Sequence, residues 1–384
     1  MEASAKIDAC EPIAARLERE RARYSGPVLI YDMELVRRRI ALLGRLGQRV
    51  GGSFLVALKA VPDSRVLLDF AAGGCGFDVS NVSEWRAAAE ASRAAGARPP
   101  ISVTGPLATE IAAALDAAPG GGTAVTINVG SRRQLETLPV PGPDHMKVSA
   151  RIALDVPPPE GDRALVTRFG FDPSDADGLR AVARHPRFAG LHCHLAHGTN
   201  RADTFERMLD RLVAIAAAAR LEINSLNLGG GLHNLPDRAL LELVQRLSAR
   251  APVRVQLVFE PGRYWFRDAG FAIARVLDVR PWHGDFLVEV DLSADCHLRW
   301  SHVGLLGHDG HAEGARVLVH VFGGTCHEGD RIGSFELPGE APSVPPLRPG
   351  ALITLSNVSG YAGAWNTSFN GVAPAKVLLH GIDT

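Results

Sequence analysis

The chain has 384 residues, 46% hydrophobic and 22% charged, with a formal net charge of −1. That length accommodates two domains, or one large barrel with an added module, and the near-zero charge without a basic block argues against a general nucleic-acid binder. No apolar run reaches the roughly eighteen residues that span a bilayer, and the five scattered cysteines lack CxxC spacing, which excludes a disulfide framework or zinc ribbon and fits a reducing cytoplasm.

Met1–Arg23 is charged and has no apolar centre followed by a cleavage site, so it is not read as a signal peptide. Pro27–Asp32 (PVLIYD) is strand-like. Eight short apolar runs follow: Ser53–Leu58, Gly76–Ser80, Ile101–Gly105, Ala124–Gly130, Val148–Leu154, Phe188–Leu195, Ser225–Gly231 and Val255–Gly262. Between most of them lie amphipathic segments, among them Val82–Ala94, Ala108–Ala117, Asp175–Arg184, Ala202–Arg220 and Pro236–Ala251. Buried strands alternating with helices read as βαβ units, and eight without a break predict a parallel (β/α)8 barrel over residues 36–266. A doubly wound sheet is the alternative.

After Arg263 the texture changes. Phe271–Arg280, Asp285–Asp291, Ala315–Val321 and Ala351–Leu355 are strand-like and separated by Gly-, Pro- and His-rich turns. This predicts a mainly antiparallel β domain built from residues 1–35 and 267–384, into which Pro27–Asp32 pairs. Val156–Gly161 and Pro338–Pro349 read as Pro-rich loops.

Lysine chemistry has four candidates, because Lys6, Lys59, Lys147 and Lys376 stand against 37 arginines. Lys59 closes the first barrel run, at the end of the barrel where active sites lie. Apolar surroundings would make it an imine-forming nucleophile; otherwise it is a solvated strand-end lysine. Gly229, Gly230 and Gly231 end the seventh run and form either a phosphate loop or a plain turn. Glu260 and Arg263 end the eighth, as ligands for opposite ends of one cofactor or as a structural ion pair. His192 and His194 alternate at the end of the sixth, as a metal pair, a ring-stacking histidine or core residues. Cys326, between glycines, is a reactive thiol or incidental.

Taken in order, these residues resemble one family, the pyridoxal 5′-phosphate (PLP) dependent decarboxylases of fold type III. This group, with its alanine-racemase-like barrel, contains the diaminopimelate, ornithine and arginine decarboxylases. Eight short motifs from Pro27 to Gly371 carry the likeness: Ala57-Leu-Lys-Ala60, Gly76-Phe-Asp-Val-Ser80, Arg168-Phe-Gly-Phe171, Gly190-Leu-His-Cys-His194, Gly229–Gly231, Glu260–Arg263, Gly324-Thr-Cys326, and Gly360-Tyr361 with Phe369-Asn-Gly371.

The resemblance implies that Lys59 holds PLP covalently, His194 stacks on its ring, and Asp78 is the acidic residue near the lysine. It gives Gly229, Gly230, Gly231, Arg263 and Tyr361 to the 5′-phosphate. Glu260 then bonds the ring nitrogen, which favours decarboxylation over the racemase or epimerase chemistry of the same fold. Cys326 is the general acid that reprotonates Cα, delivered in a homodimer by the neighbouring subunit. No metal is implied. The departures are Ala196 and His197 where the family has a Gly-Ser pair, His327 and then Glu328 where it has an acidic residue after the cysteine, and Trp300 for a proline after Arg299. A distal ammonium has lost its carboxylate, and Arg299 matches an arginine used for a distal carboxylate. The expected substrate is therefore an amino acid with a neutral or acidic distal group, as in a natural-product or siderophore pathway. A catalytically silent, partner-binding relative is the remaining alternative.

Overall fold

The computed structural model describes residues 12–117, 123–140, 142–154, 167–195, 201–310, 313–341 and 343–383. Two compact units emerge, one spanning Arg37–Trp265 and the other formed by the chain before Arg37 and after Trp265.

Strand β1 (Val28–Asp32) belongs to the second unit. The first unit closes eight parallel strands into a barrel in chain order: β2 (Ser53–Ala57), β3 (Gly76–Val79), β4 (Ile101–Thr104), β5 (Val125–Val129), β6 (Met146–Ile152), β7 (Phe188–Cys193), β8 (Ser225–Asn227) and β9 (Gln256–Phe259). The (β/α)8 barrel is the expected one. Its strands are apolar because a barrel strand is covered on both faces, by side chains inside and by helices outside. At the closing seam Phe54 pairs with Phe259, and their rings stack at 5.1 Å.

Local signals explain the outer helices. Val82–Ala94 starts where Asn81 Oδ1 accepts the Glu84 N–H at 2.9 Å, and Ala176–Ala183 where Asp175 Oδ1 accepts the Gly178 N–H at 2.8 Å. Ala202–Ala219 buries Phe205, Met208, Leu209, Leu212 and Ile215, the three-and-four spacing of one helical face.

All eight barrel strands stop earlier than their apolar runs suggest, and at three of them this decides where candidate residues sit. Pairing ends at Cys193, Asn227 and Phe259, not at Leu195, Gly231 and Gly262. The runs stay apolar where the chain leaves the barrel, so composition alone does not mark the exit. As a result His194, Gly229–Gly231 and Glu260–Arg263 sit on the loops at the carboxyl ends of their strands.

The second unit is one eight-stranded sheet. Strand β10 (Gly270–Trp282) pairs antiparallel with β1 and β15 (Leu352–Ser356) through its first half and with β11 (Asp285–Val290) through its second, with a register shift between Val276 and Asp278. β12 (Gly304–His308), β13 (Ala315–Phe322), β14 (Arg331–Gly339) and β16 (Lys376–His380) complete it. The sheet is mostly antiparallel; β1 with β16 and β11 with β13 run parallel. β1 packs with Leu17, Ile273 and Leu378 through Val28 and Ile30, so Pro27–Asp32 does join this sheet. The helix Ile13–Ala22 and strands β12, β14 and β16 had no sequence signal. Gly304-Leu-Leu-Gly-His308 and the glycine-broken β14 lack clean alternation, and a short amphipathic helix beside charged residues does not stand out.

Candidate active site

The barrel mouth gathers most of the residues singled out in the first unit. Lys59 lies in the turn Leu58–Ala60 directly after β2, its side chain 54% exposed, and its Nζ is 3.7 Å from Asp78 Oδ2 at the end of β3. Asp78 is buried, and its Oδ1 has no hydrogen-bond partner among the described residues. Burial first, then the like charge of Glu260, push the Asp78 carboxyl up to about 8 despite the opposing pull of Lys59.

Glu260, buried just beyond β9, is the centre of a polar network. Its Oε1 accepts from Ser102 Oγ at 2.7 Å and Asn227 Nδ2 at 2.6 Å, while its Oε2 lies 3.2 Å from His192 Nε2. Asn128 Nδ2 donates on to Ser102 Oγ at 2.7 Å and Thr104 Oγ1 at 2.8 Å. Burial alone would raise the Glu260 carboxyl. The His192 interaction and the Ser102 and Asn227 hydrogen bonds outweigh it and hold the group below the ordinary carboxylate range. Burial lowers the pKa of His192 against the pull of Glu260; the carboxylate can only accept, so the His192 Nε2–H is the donor of this contact.

Of the alternatives for the paired histidines, His192 is therefore a core residue that supports Glu260. His194 follows the last residue of β7, at the exposed mouth, with its Nδ1 2.9 Å from Leu195 O. Among the described residues no group of three or more side chains could hold a metal ion.

The glycine loop follows β8. Gly229 takes a left-handed φ of 65° and donates its N–H to Asn227 Oδ1 at 2.9 Å. A Cβ on Gly230 would lie 2.7 Å from Glu260 O and 3.2 Å from His194 Nε2. Gly231 has a φ of 97°, which also favours glycine. Arg263 reaches the same mouth, where its Nη1 is 3.3 Å from His233 Nε2.

The second unit gathers the other candidates in one cluster of loops and short helices. Cys326 is exposed and free, and its N–H donates to Asn370 Oδ1 at 2.9 Å. His327 Nδ1 is 2.7 Å from Asp295 Oδ2, and Trp365 Nε1 donates to Asp295 O at 3.1 Å. The Arg299 guanidinium lies 5.2 Å from the Trp365 ring centre, and Trp300 meets Tyr361 edge-on at 5.0 Å. Glu328 is exposed beside them. Asp330 fixes the cysteine loop, because its buried carboxylate accepts from Thr325 Oγ1 at 2.7 Å and Ser293 Oγ at 3.1 Å. Ala196 and His197 lie outside the described residues.

Sequence reasoning missed Ser102, Asn128, Asn227, Arg151, Asp295, Asp330 and Asn370. The first three leave a trace: they are polar residues inside otherwise apolar barrel runs, where only a buried partner makes them tolerable.

Asp78 allows a stability test on the cofactor-free protein. Its folded value of about 8 lies above its ordinary value of 3.8, so its contribution is complete below the lower figure and disappears as pH rises through the upper one. The Tm of wild type relative to Asp78→Asn is expected to fall across that interval, by up to about 1.4 kcal/mol of stability per pH unit. Parallel Tm curves for the two proteins would show that Asp78 titrates as an ordinary surface carboxylate.

The chain is similar to known proteins in sequence and fold. The family described as "Pyridoxal-dependent decarboxylase, pyridoxal binding domain" matches residues 36–266. The diaminopimelate decarboxylase of Deinococcus radiodurans is 25% identical over 368 residues, covering 94% of this chain and 92% of that protein. The arginine decarboxylase of Paramecium bursaria Chlorella virus superimposes with a TM-score of 0.76 at 18% identity, covering 95% of this chain and 99% of that one. The lysine/ornithine decarboxylase of Vibrio vulnificus, complexed with putrescine, gives 0.75 at 19% identity, covering 95% and 97%. These likenesses establish the fold type III architecture.

Proposed function

Because the chain belongs to the pyridoxal-dependent decarboxylase family, we propose that it decarboxylates an amino acid whose distal group is neutral or acidic rather than a simple ammonium. One observation carries the choice of distal group. The position after Cys326 is an imidazole, and His327 engages the nearby Asp295 carboxylate at 2.7 Å. An incoming ammonium therefore has to compete with a partner already in place, while Arg299 in the same cluster offers a cation to an acid.

The barrel residues fit the cofactor. Glu260 accepts three hydrogen bonds, and a carboxylate has about four lone-pair sites, so one remains for a ring N–H. Glycine at 230 is required where a Cβ would come within 2.7 Å of the Glu260 backbone carbonyl oxygen and 3.2 Å of His194 Nε2. The cofactor, when bound, supplies the electron sink for the pair left on Cα as carbon dioxide departs.

In this reading Lys59 would hold the cofactor covalently, at the barrel mouth where the substrate amine has to arrive. Glu260, kept anionic by its donors, holds the proton on the ring nitrogen. His194 would pack against the ring. Gly229, Gly230, Gly231, Arg263 and Tyr361 hold the phosphate, the glycines by letting backbone N–H groups approach the anion. Asp78 stays beside Lys59 as a carboxyl that is largely protonated near neutrality. Arg299, His327 and Glu328 meet the distal group. Cys326 delivers a proton to Cα from a second copy of the chain, so the working form is a homodimer.

Carbon dioxide release from a panel of basic, neutral and acidic amino acids tests the substrate class. The expected result is a kcat/KM at least about tenfold higher for a neutral or acidic substrate than for lysine or ornithine, the scale of one charged hydrogen bond. A preference for lysine or ornithine overturns it. Cys326→Ala is expected to cut turnover by about 10²- to 10⁴-fold, the range of a lost general acid, while the cofactor spectrum stays unchanged. Turnover within a few-fold of wild type would remove Cys326 from the mechanism.

A further inference from the structure

Beside the catalytic cluster, the loops after β4, β5 and β6 enclose a cleft of about 340 Å³ that the decarboxylase reading does not use. Among the described residues Arg133, Arg151 and Arg168 line it, and no carboxylate does. Arg151 and Arg168 both stack on Phe169, with guanidinium carbons 4.7 and 4.5 Å from the ring centre. Neither Arg133 nor Arg168 has a carboxylate partner among the described residues, whereas the adjacent Arg132 pairs with Asp175 at 3.2 Å. Three guanidinium groups around one cleft repel one another, and an entering anion would relieve that repulsion. Guanidinium forks match the planar geometry of oxyanions.

The cleft is also wired to the active site. Asn128 lines it and donates to Ser102, which donates to Glu260. Arg151 lines it and feels the charge of Glu260.

We propose that this cleft is an anion-binding site for a small oxyanion, a carboxylate or phosphate group held by Arg133, Arg168 and Arg151. The anion is either a group on the substrate itself or a separate small metabolite. Its charge would act on the Glu260 cluster through Arg151 and Asn128. The site goes beyond the decarboxylase reading, and its binding arm needs no turnover.

The test titrates malonate into the cofactor-loaded protein, so that the phosphate loop is already filled, at constant ionic strength set with chloride. Wild type and Arg211→Gln, an exposed arginine on another helix, should show a saturable rise in Tm. The double variant Arg133→Gln/Arg168→Gln should bind malonate at least about tenfold more weakly, as expected when charged hydrogen bonds are lost. Both arginines are exposed, and retention of the bound-cofactor spectrum confirms that the variant folds. Competition between malonate and the amino-acid substrate assigns the anion to the substrate; a change in kcat without competition assigns it to a separate metabolite. Equal stabilisation of wild type and double variant, or none beyond that of chloride, overturns the proposal.

Discussion

Lys59→Ala is expected to lower decarboxylation by about 10⁴-fold or more, the scale on which removal of a covalent catalytic group acts. Lys59 is the lysine that both the turn after β2 and the Asp78 carboxylate, at 3.7 Å, place at the barrel mouth. Its side chain is about half exposed, so alanine leaves no core cavity, and the Tm of the cofactor-free variant should stay within about 1 kcal/mol equivalent of wild type. The expected pattern is thus a large catalytic loss with little loss of fold. Activity within tenfold of wild type would remove Lys59 from its assigned role.

Glu260 should produce two different results from two substitutions. Glu260→Ala takes away the common acceptor of Ser102, Asn227 and His192. Three buried donors lose their partner, each at about 1–3 kcal/mol, so the variant should be destabilised by several kcal/mol. Glu260→Gln keeps the volume and one carbonyl acceptor for Ser102 and Asn227 but turns an NH₂ toward His192. The fold should survive with a smaller loss, while activity falls about 10²- to 10³-fold, the scale of losing one preorganised charge. The same substitution removes a like charge from beside Asp78, so the Asp78 pKa should drop from about 8 toward its ordinary range. Wild-type turnover in Glu260→Gln would mean that the charge at the ring nitrogen does not matter. An unchanged Asp78 titration would mean that the two carboxylates are not coupled.

Much of this site was legible before the fold. Lys59, Gly229–Gly231 and Glu260 each end an apolar run, and a barrel brings the carboxyl ends of all its strands to one rim. The pattern of runs therefore implied the convergence of residues some 200 positions apart. The supporting network was not legible. Ser102, Asn128 and Asn227 come from three strands, and nothing local says that they share Glu260 as their centre. His192 and His194 look like a pair under strict alternation. The strand ends at Cys193, so one ring stays in the interior and the other reaches the mouth. Around Cys326 the sequence showed the thiol and the unusual His327. The partner Asp295, 32 positions away, required the fold.

One measurement tests the central claim most directly. The chain carries only four lysines, Lys6, Lys59, Lys147 and Lys376. Borohydride treatment of the cofactor-loaded protein fixes any lysine–pyridoxal link as a stable adduct, and peptide mass analysis locates it. A near-stoichiometric adduct on Lys59 alone is expected, with loss of the visible absorption band. An adduct on Lys147 or Lys376, or none after loading with pyridoxal 5′-phosphate, would contradict it.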